Sequence, residues 1–108
     1  MIGFANGGPE RDGRDDFRGE LYGLYVLPSW HGQGVGKRSV VNFAEWLLDS
    51  GVDTMLVWTL AANPYRRFYE RLGGKPVAEK DIEIGEQKLI EVAYGWHDLR
   101  VILAEEKT

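Results

Sequence analysis

Residues Leu24 to Ser39 read LYVLPSWHGQGVGKRS. An apolar run meets Pro28, passes through Gly32, Gly34 and Gly36, and continues into a helical pattern. A strand that runs through a glycine loop into a helix makes an anion site. The backbone N–H groups of Gly32, Gln33, Gly34, Val35 and Gly36 can face a pyrophosphate, and the helix dipole favours negative charge there. Glycine lets the backbone approach without a Cβ clash. Lys37 and Arg38 stand in the first helical turn, where a purely structural helix prefers acids, and that inversion suits a bound anion.

Two nucleotide loops fail on spacing. A phosphate-binding P-loop has four residues between its first glycine and Gly-Lys. Gly32 and Gly36-Lys37 leave three, and Arg38 stands where Ser or Thr belongs. A dinucleotide fingerprint needs G-x-G-x-x-G. Counted from Gly32 its third glycine falls on Lys37, and counted from Gly34 it falls on Ser39.

Outward from this stretch the periods are legible. Met1 to Ala5 is a short apolar run, expected as a strand that stops at Asn6-Gly7-Gly8-Pro9. Glu10 to Gly19 is polar, expected as a solvated hairpin connection, with contact to a substrate as the alternative. Glu20 to Leu27 is apolar on both faces, as in a central strand. Gly23 inside it signals a bulge or a close backbone approach. Val40, Phe43, Ala44, Leu47 and Leu48 make a helical stripe, closed by Ser50-Gly51. Thr54 to Leu60 reads as a buried strand. Asn63-Pro64 reads as an N-cap and first helical residue, opening a helix over Tyr65 to Leu72 that Gly73-Gly74 closes. Lys75 to Ile84 and Lys88 to Trp96 flank Gly85-Glu86, which suits a two-residue type II′ hairpin. Ile90, Val92, Tyr94 and Trp96 alternate onto one face, and Asp98 to Glu106 suits a short terminal helix. The expected fold is α+β: a mixed, mostly antiparallel five-stranded sheet with two main helices, in a single domain over residues 1–108.

Bulk properties narrow the class. The chain has 108 residues, a net charge of −4 and 14 glycines, assigned at this level to loops and turns. The absence of a basic balance speaks against a nucleic-acid partner. With no cysteine, disulfides, thiolate nucleophiles and cysteine metal sites are excluded. His31 and His97 are the two histidines, far apart, so no metal is expected. No apolar run approaches the roughly 20 residues that span a bilayer, and the N-terminus lacks a basic flank. The expected location is cytoplasmic, away from membranes.

Val26-Leu27-Pro28 followed by His31-Gly32-Gln33-Gly34-Val35-Gly36-Lys37 resembles the CoA signature of the GNAT N-acetyltransferases. Asn63-Pro64 with Arg66-Arg67-Phe68-Tyr69-Glu70-Arg71-Leu72-Gly73-Gly74 resembles the later helix of that family, and Glu91 to Trp96 resembles the ending of bacterial members. The likeness covers nearly the whole chain. His31 stands where the family has Gln or Arg, and Asn63 lies one residue closer to Phe68-Tyr69 than in the commonest pattern. Members usually begin with a strand, two helices and a strand ahead of the segment that starts here at Met1. The resemblance therefore implies an acyl-CoA N-acyltransferase fold lacking that front third, which helps wall the acceptor site.

The resemblance implies acetyl-CoA as cosubstrate and direct attack of a primary amine, of a small molecule or a protein or peptide, on its thioester. The alternative is a non-catalytic acyl-CoA-binding module, or a fragment completed by a partner chain. Tyr69 is the implied acid for the departing thiolate; its plain alternative is a half-buried helix tyrosine. Glu20 matches the general base of one branch; its plain alternative is an exposed strand-end carboxylate. Leu24, Tyr25 and Val26 would hold the pantetheine amides through their backbone. His31, Gly32, Gln33, Gly34, Val35, Gly36 and Lys37 would hold the phosphates, Arg66 and Arg67 would touch them, and Asn63 and Tyr69 would contact CoA elsewhere. Arg66 and Arg67 have an ordinary alternative in ion pairs to Glu70. Trp30 and Tyr65 are expected on the loop or adenine side, and Trp46 and Trp58 in the core. The Met1 to Ala5 strand is expected as an exposed sheet edge, and pairing through it would give a homodimer.

Overall fold

Five strands and three helices are present in the computed structural model, which describes residues 3–26, 34–64 and 66–106. They are β1 (Gly3–Pro9), β2 (Gly19–Val26), α1 (Val35–Asp49), β3 (Met55–Leu60), α2 (Arg67–Arg71), β4 (Lys75–Ile84), β5 (Gln87–Trp96) and α3 (Arg100–Glu106). The sheet order is β1-β2-β3-β5-β4. Only β2 and β3 run parallel; the other neighbours are antiparallel. This is the mixed, mostly antiparallel α+β sheet expected from the periods.

Packing follows from alternation. Met55 and Val57 of β3 join one core, while Leu56 between them joins another, so both faces of this central strand are buried. On the first face α1 contributes Val40, Val41, Ala44 and Leu47, α2 contributes Tyr69, and α3 contributes Ile102. Val92, Tyr94 and Trp96 of β5 complete it, as their period of two requires. On the second face Phe17 seals Leu56 and Ala93. The hairpin tip also matches its local chemistry: Ile84 pairs with Gln87 around Gly85, whose φ is 63°, and Glu86 is not at positive φ, as in a type II′ turn.

The bulge expected near Gly23 is present. Asn6 faces Gly23 but Gly7 faces Leu21, so Tyr22 is the extra residue of β2. It shifts the side-chain phase: Leu21 and Leu24, three apart, both pack on the helix-covered core. A second irregularity matters more for the site. The β2–β3 ladder covers only Gly19–Leu21 against Met55–Val57. Beyond it the two parallel strands part.

Several local expectations are corrected by tertiary context. β1 does not stop at Asn6 but continues through Gly7 and Gly8 to Pro9. At Gly7 a Cβ would stand 2.4 Å from the Glu20 carbonyl oxygen and 2.4 Å from the Phe43 ring, so this glycine serves close packing of α1 on the sheet rather than a turn. The Glu10–Gly19 connection is not merely solvated, because Phe17 is fully buried. Trp46 is 53% exposed on α1 and not in the core. Trp58 is half-buried on the second face, with a buried indole N–H that has no partner among the described residues. The helix after β3 is shorter than expected, starting at Arg67 with Arg66 at its N-cap and no side-chain cap. Asn63 is not that cap; its carbonyl accepts the Arg66 N–H and its side-chain amide donates to the Thr59 hydroxyl at 2.9 Å.

Candidate functional site

Parallel pairing of β2 and β3 puts their C-terminal ends at the same end of the sheet. The start of α1 follows β2 there, and the Asn63–Tyr69 segment follows β3. Gly34 precedes α1 at φ 78°, ψ 5°, a left-handed conformation that costs any L side chain roughly 1–2 kcal/mol. Among the described residues no side chain caps this helix, and no acid lies in its first turn. Val35 and Gly36 lie in the first turn, where backbone N–H groups have no intrahelical acceptor and the helix dipole is positive. His31, Gly32 and Gln33, like Trp30 and Tyr65, lie outside the described residues.

On the β2 side, Leu24 packs against the main core and Tyr25 is exposed, with Val26 ending the strand. Where β2 leaves β3, its β3-facing edge lies outside the ladder. Such an edge offers backbone donors and acceptors to an extended ligand rich in amides.

Tyr69 is held from three sides. Phe68 and Trp96 meet its ring edge-on at centroid distances of 5.3 and 6.4 Å, and Tyr94 lies at 6.1 Å. α2 is too short to stand alone. It is tied to β5 by the Tyr94 hydroxyl, which donates to Glu70 Oε2 at 2.7 Å, and by the Trp96 indole N–H, which donates to the Leu72 carbonyl at 3.0 Å. The Tyr69 hydroxyl has no hydrogen bond among the described residues. Burial raises its pKa above the ordinary phenol range, so the phenol keeps its proton throughout neutral pH. Tyr94 is raised likewise, first by burial and then by its bond to Glu70. The sign for stability follows: the unfolded phenols ionise first as pH rises, so the contribution of both rings is complete below about pH 10 and is lost above it.

Arg66 donates to the Ala61 carbonyl at 3.1 Å, and Glu70 accepts from Tyr94; no ion pair joins Glu70 to Arg66 or Arg67 among the described residues. Arg66 thus braces the turn after β3 rather than the surface of α2.

Glu20 is not an exposed strand-end carboxylate. It is 2% exposed, and both its oxygens are engaged: Oε1 by the Arg11 backbone N–H at 3.1 Å and Oε2 by the Arg11 guanidinium at 2.7 Å. It lies on the second face, while Tyr69 lies on the helix-covered face. Around Glu20 is a polar cavity of ≈ 350 Å³ lined also by Tyr22, Trp58, Lys80 and Glu91. From the sequence Trp58 is expected in the core, and none of these neighbours is expected beside Glu20. One pair had a readable signal: a two-residue turn at Gly85-Glu86 sets Lys80 opposite Glu91.

The model of the acetyltransferase (GNAT) family matches residues 1–74. The chain belongs to the GNAT acetyltransferase family. The Bacillus subtilis (strain 168) protein described as uncharacterized N-acetyltransferase YuaI is 38% identical over 102 residues, covering 94% of this chain and 59% of that protein. The ribosomal-protein-alanine N-acetyltransferase of Brucella melitensis matches with a TM-score of 0.74 at 20% identity, over 88% of this chain and 60% of that one. Arabidopsis thaliana NAA60, solved with acetyl-CoA, matches with a TM-score of 0.70 at 16% identity, over 89% of this chain and 65% of that one. At these identities the structural likenesses show the GNAT fold alone. The chain spans about six tenths of the length of these relatives. Among its described residues no helix is long and apolar enough to cross a membrane.

Proposed function

We propose that this chain binds acetyl-CoA along β2 beyond its ladder with β3 and across the start of α1, and transfers the acetyl group to a primary amine. The observation that carries this reading is the left-handed Gly34 opening an acid-free helix start, the next element in chain order after a strand that has left its neighbour. Phosphates suit the helix start, and an extended amide-bearing arm suits the strand edge. Glu20 and Val26 lie six residues apart on β2, about 20 Å of extended strand, so one arm can link the helix start to the neighbourhood of Glu20.

In the reaction the amine loses a proton to a base, and its nitrogen forms a bond to the thioester carbonyl carbon. The carbon–sulfur bond then breaks, and the CoA thiolate takes a proton from Tyr69, which regains one from solvent. Counted from the neutral amine, the products are the acetylated amine and CoA thiol with no net proton released; counted from the ammonium, one proton goes to solvent. Glu20 is the proposed base, once Arg11 has moved aside. Nitrogen and sulfur chemistry of this kind needs no metal. The reading includes a cytoplasmic location and a homodimer through β1, an edge strand of this sheet.

A second reading, an acyl-CoA-binding module without turnover, is favoured by one observation: both oxygens of Glu20 are held by Arg11. Titration calorimetry tests the shared claim. Acetyl-CoA is expected to bind saturably, and Gly34→Val is expected to weaken it at least about tenfold, since a β-branched residue cannot hold this conformation without strain. No saturable binding by the unaltered chain overturns both readings.

A further inference from the structure

The cavity around Glu20 is lined by three carboxylates, Asp12, Glu20 and Glu91, and two aromatic rings, and each ring is covered by a cation of the chain itself. The Arg11 guanidinium lies 3.9 Å from the Tyr22 ring centroid while pairing with Glu20. The Lys80 ammonium lies 4.2 Å from the Trp58 ring centroid while facing Glu91 at 3.7 Å and Asp12 at 3.8 Å.

The receptors are fixed and the occupants are not. Glu20 is 2% exposed, and the Tyr22 hydroxyl is anchored on the Pro9 carbonyl. Arg11 is 57% exposed and Lys80 42%, and the Lys80 contacts are too long for good hydrogen bonds. The loose Lys80 pairs contribute little to stability. At the buried Glu20 an incoming ammonium takes over the charge of Arg11, so the carboxylate is never left unpaired. The two cation positions are each an acid beside an aromatic face.

We propose that this cavity is a two-point site for a dicationic amine, a linear diamine or polyamine, whose ammonium groups replace Arg11 at Glu20 and Tyr22 and Lys80 at Glu91 and Trp58. This deepens the acetyl-transfer reading and rests on it for the fate of the bound amine. The diamine itself would free the Glu20 carboxylate by expelling Arg11, so one event both seats the acceptor and releases the base. A single-charge amine fills one position and leaves the other to the chain's own cation.

Binding of 1,4-diaminobutane and of n-butylamine is measured by calorimetry at low salt, with and without acetyl-CoA. The diamine is expected to bind at least about tenfold more tightly than the monoamine, and Glu91→Gln to reduce that ratio to about twofold. Lys80→Ala, which removes a competitor at an exposed position, is expected to tighten diamine binding about fivefold. Equal binding of the two amines, or weaker diamine binding in Lys80→Ala, overturns the proposal. Acetyl-CoA affinity is read separately, so loss of the CoA reading and loss of the diamine site are distinguishable.

Discussion

Tyr69→Phe is expected to lower acetyl transfer about 100-fold, at the lower end of what a positioned general acid contributes. Acetyl-CoA affinity is expected to change by no more than about twofold, because the substitution removes one oxygen and no packing surface. Phe68, Tyr94 and Trp96 hold the ring by its faces and edges, and those contacts survive. The hydroxyl has no hydrogen bond among the described residues, so its removal leaves no buried partner unsatisfied. Release of CoA thiol can be followed with a thiol reagent, because the chain has no cysteine to add background. A second readout concerns alkaline stability. Burial raises the Tyr69 pKa, so the folded chain loses stability as pH climbs above the phenol range. Denaturation midpoints at pH 8 and pH 11 should converge in Tyr69→Phe relative to the unaltered chain. Turnover unchanged in Tyr69→Phe would assign the acid to another group.

Gly7→Ala is expected to destabilise the fold by about 2–3 kcal/mol, the range of overpacking in a close-packed site. Its Cβ would meet the Glu20 carbonyl oxygen and the Phe43 ring, each at 2.4 Å. The Phe43 ring can swing, but the Glu20 carbonyl belongs to the β1–β2 ladder and cannot yield without moving the strand. For a domain near 100 residues the loss corresponds to a Tm lower by about 10–20 °C. Gly23→Ala is the matched control in the same hairpin. A Cβ there meets nothing within 4 Å and the backbone is not left-handed, so its effect should stay within about 0.5 kcal/mol. Thermal unfolding of the pair by circular dichroism separates packing from any general intolerance to methyl groups in β2 and its partner. Equal effects in the two variants would place the cost elsewhere.

The fold was legible where its determinants are local. The stripe of Val40, Ala44 and Leu47 marks α1, and alternation of Val92, Tyr94 and Trp96 marks the inner face of β5. The Gly85-Glu86 turn gave the last hairpin with its register. The errors have a common origin in neighbours distant in sequence. Glycines assigned to turns lie within strands, as Gly7 does, because a helix or backbone passes close by. Asn63 has the composition of a cap, yet Arg66 stands at that position and the Asn63 amide donates to Thr59. Trp46 has the composition of core, but its place on α1 turns it toward solvent.

The candidate site divides in the same way. A glycine loop running into a helix start with Lys37 and Arg38 in place of acids was legible from sequence alone, because helix dipoles are short-range, while the left-handed conformation of Gly34 came with the structure. Tertiary structure alone decided that β2 parts from β3 after Leu21, that Tyr69 sits against Tyr94 and Trp96, and that Glu20 is buried against Arg11. Strand divergence depends on which strands pair and for how long. The state of a carboxylate depends on which residues the other strands and loops bring to it. Neither is written in the spacing of neighbouring residues.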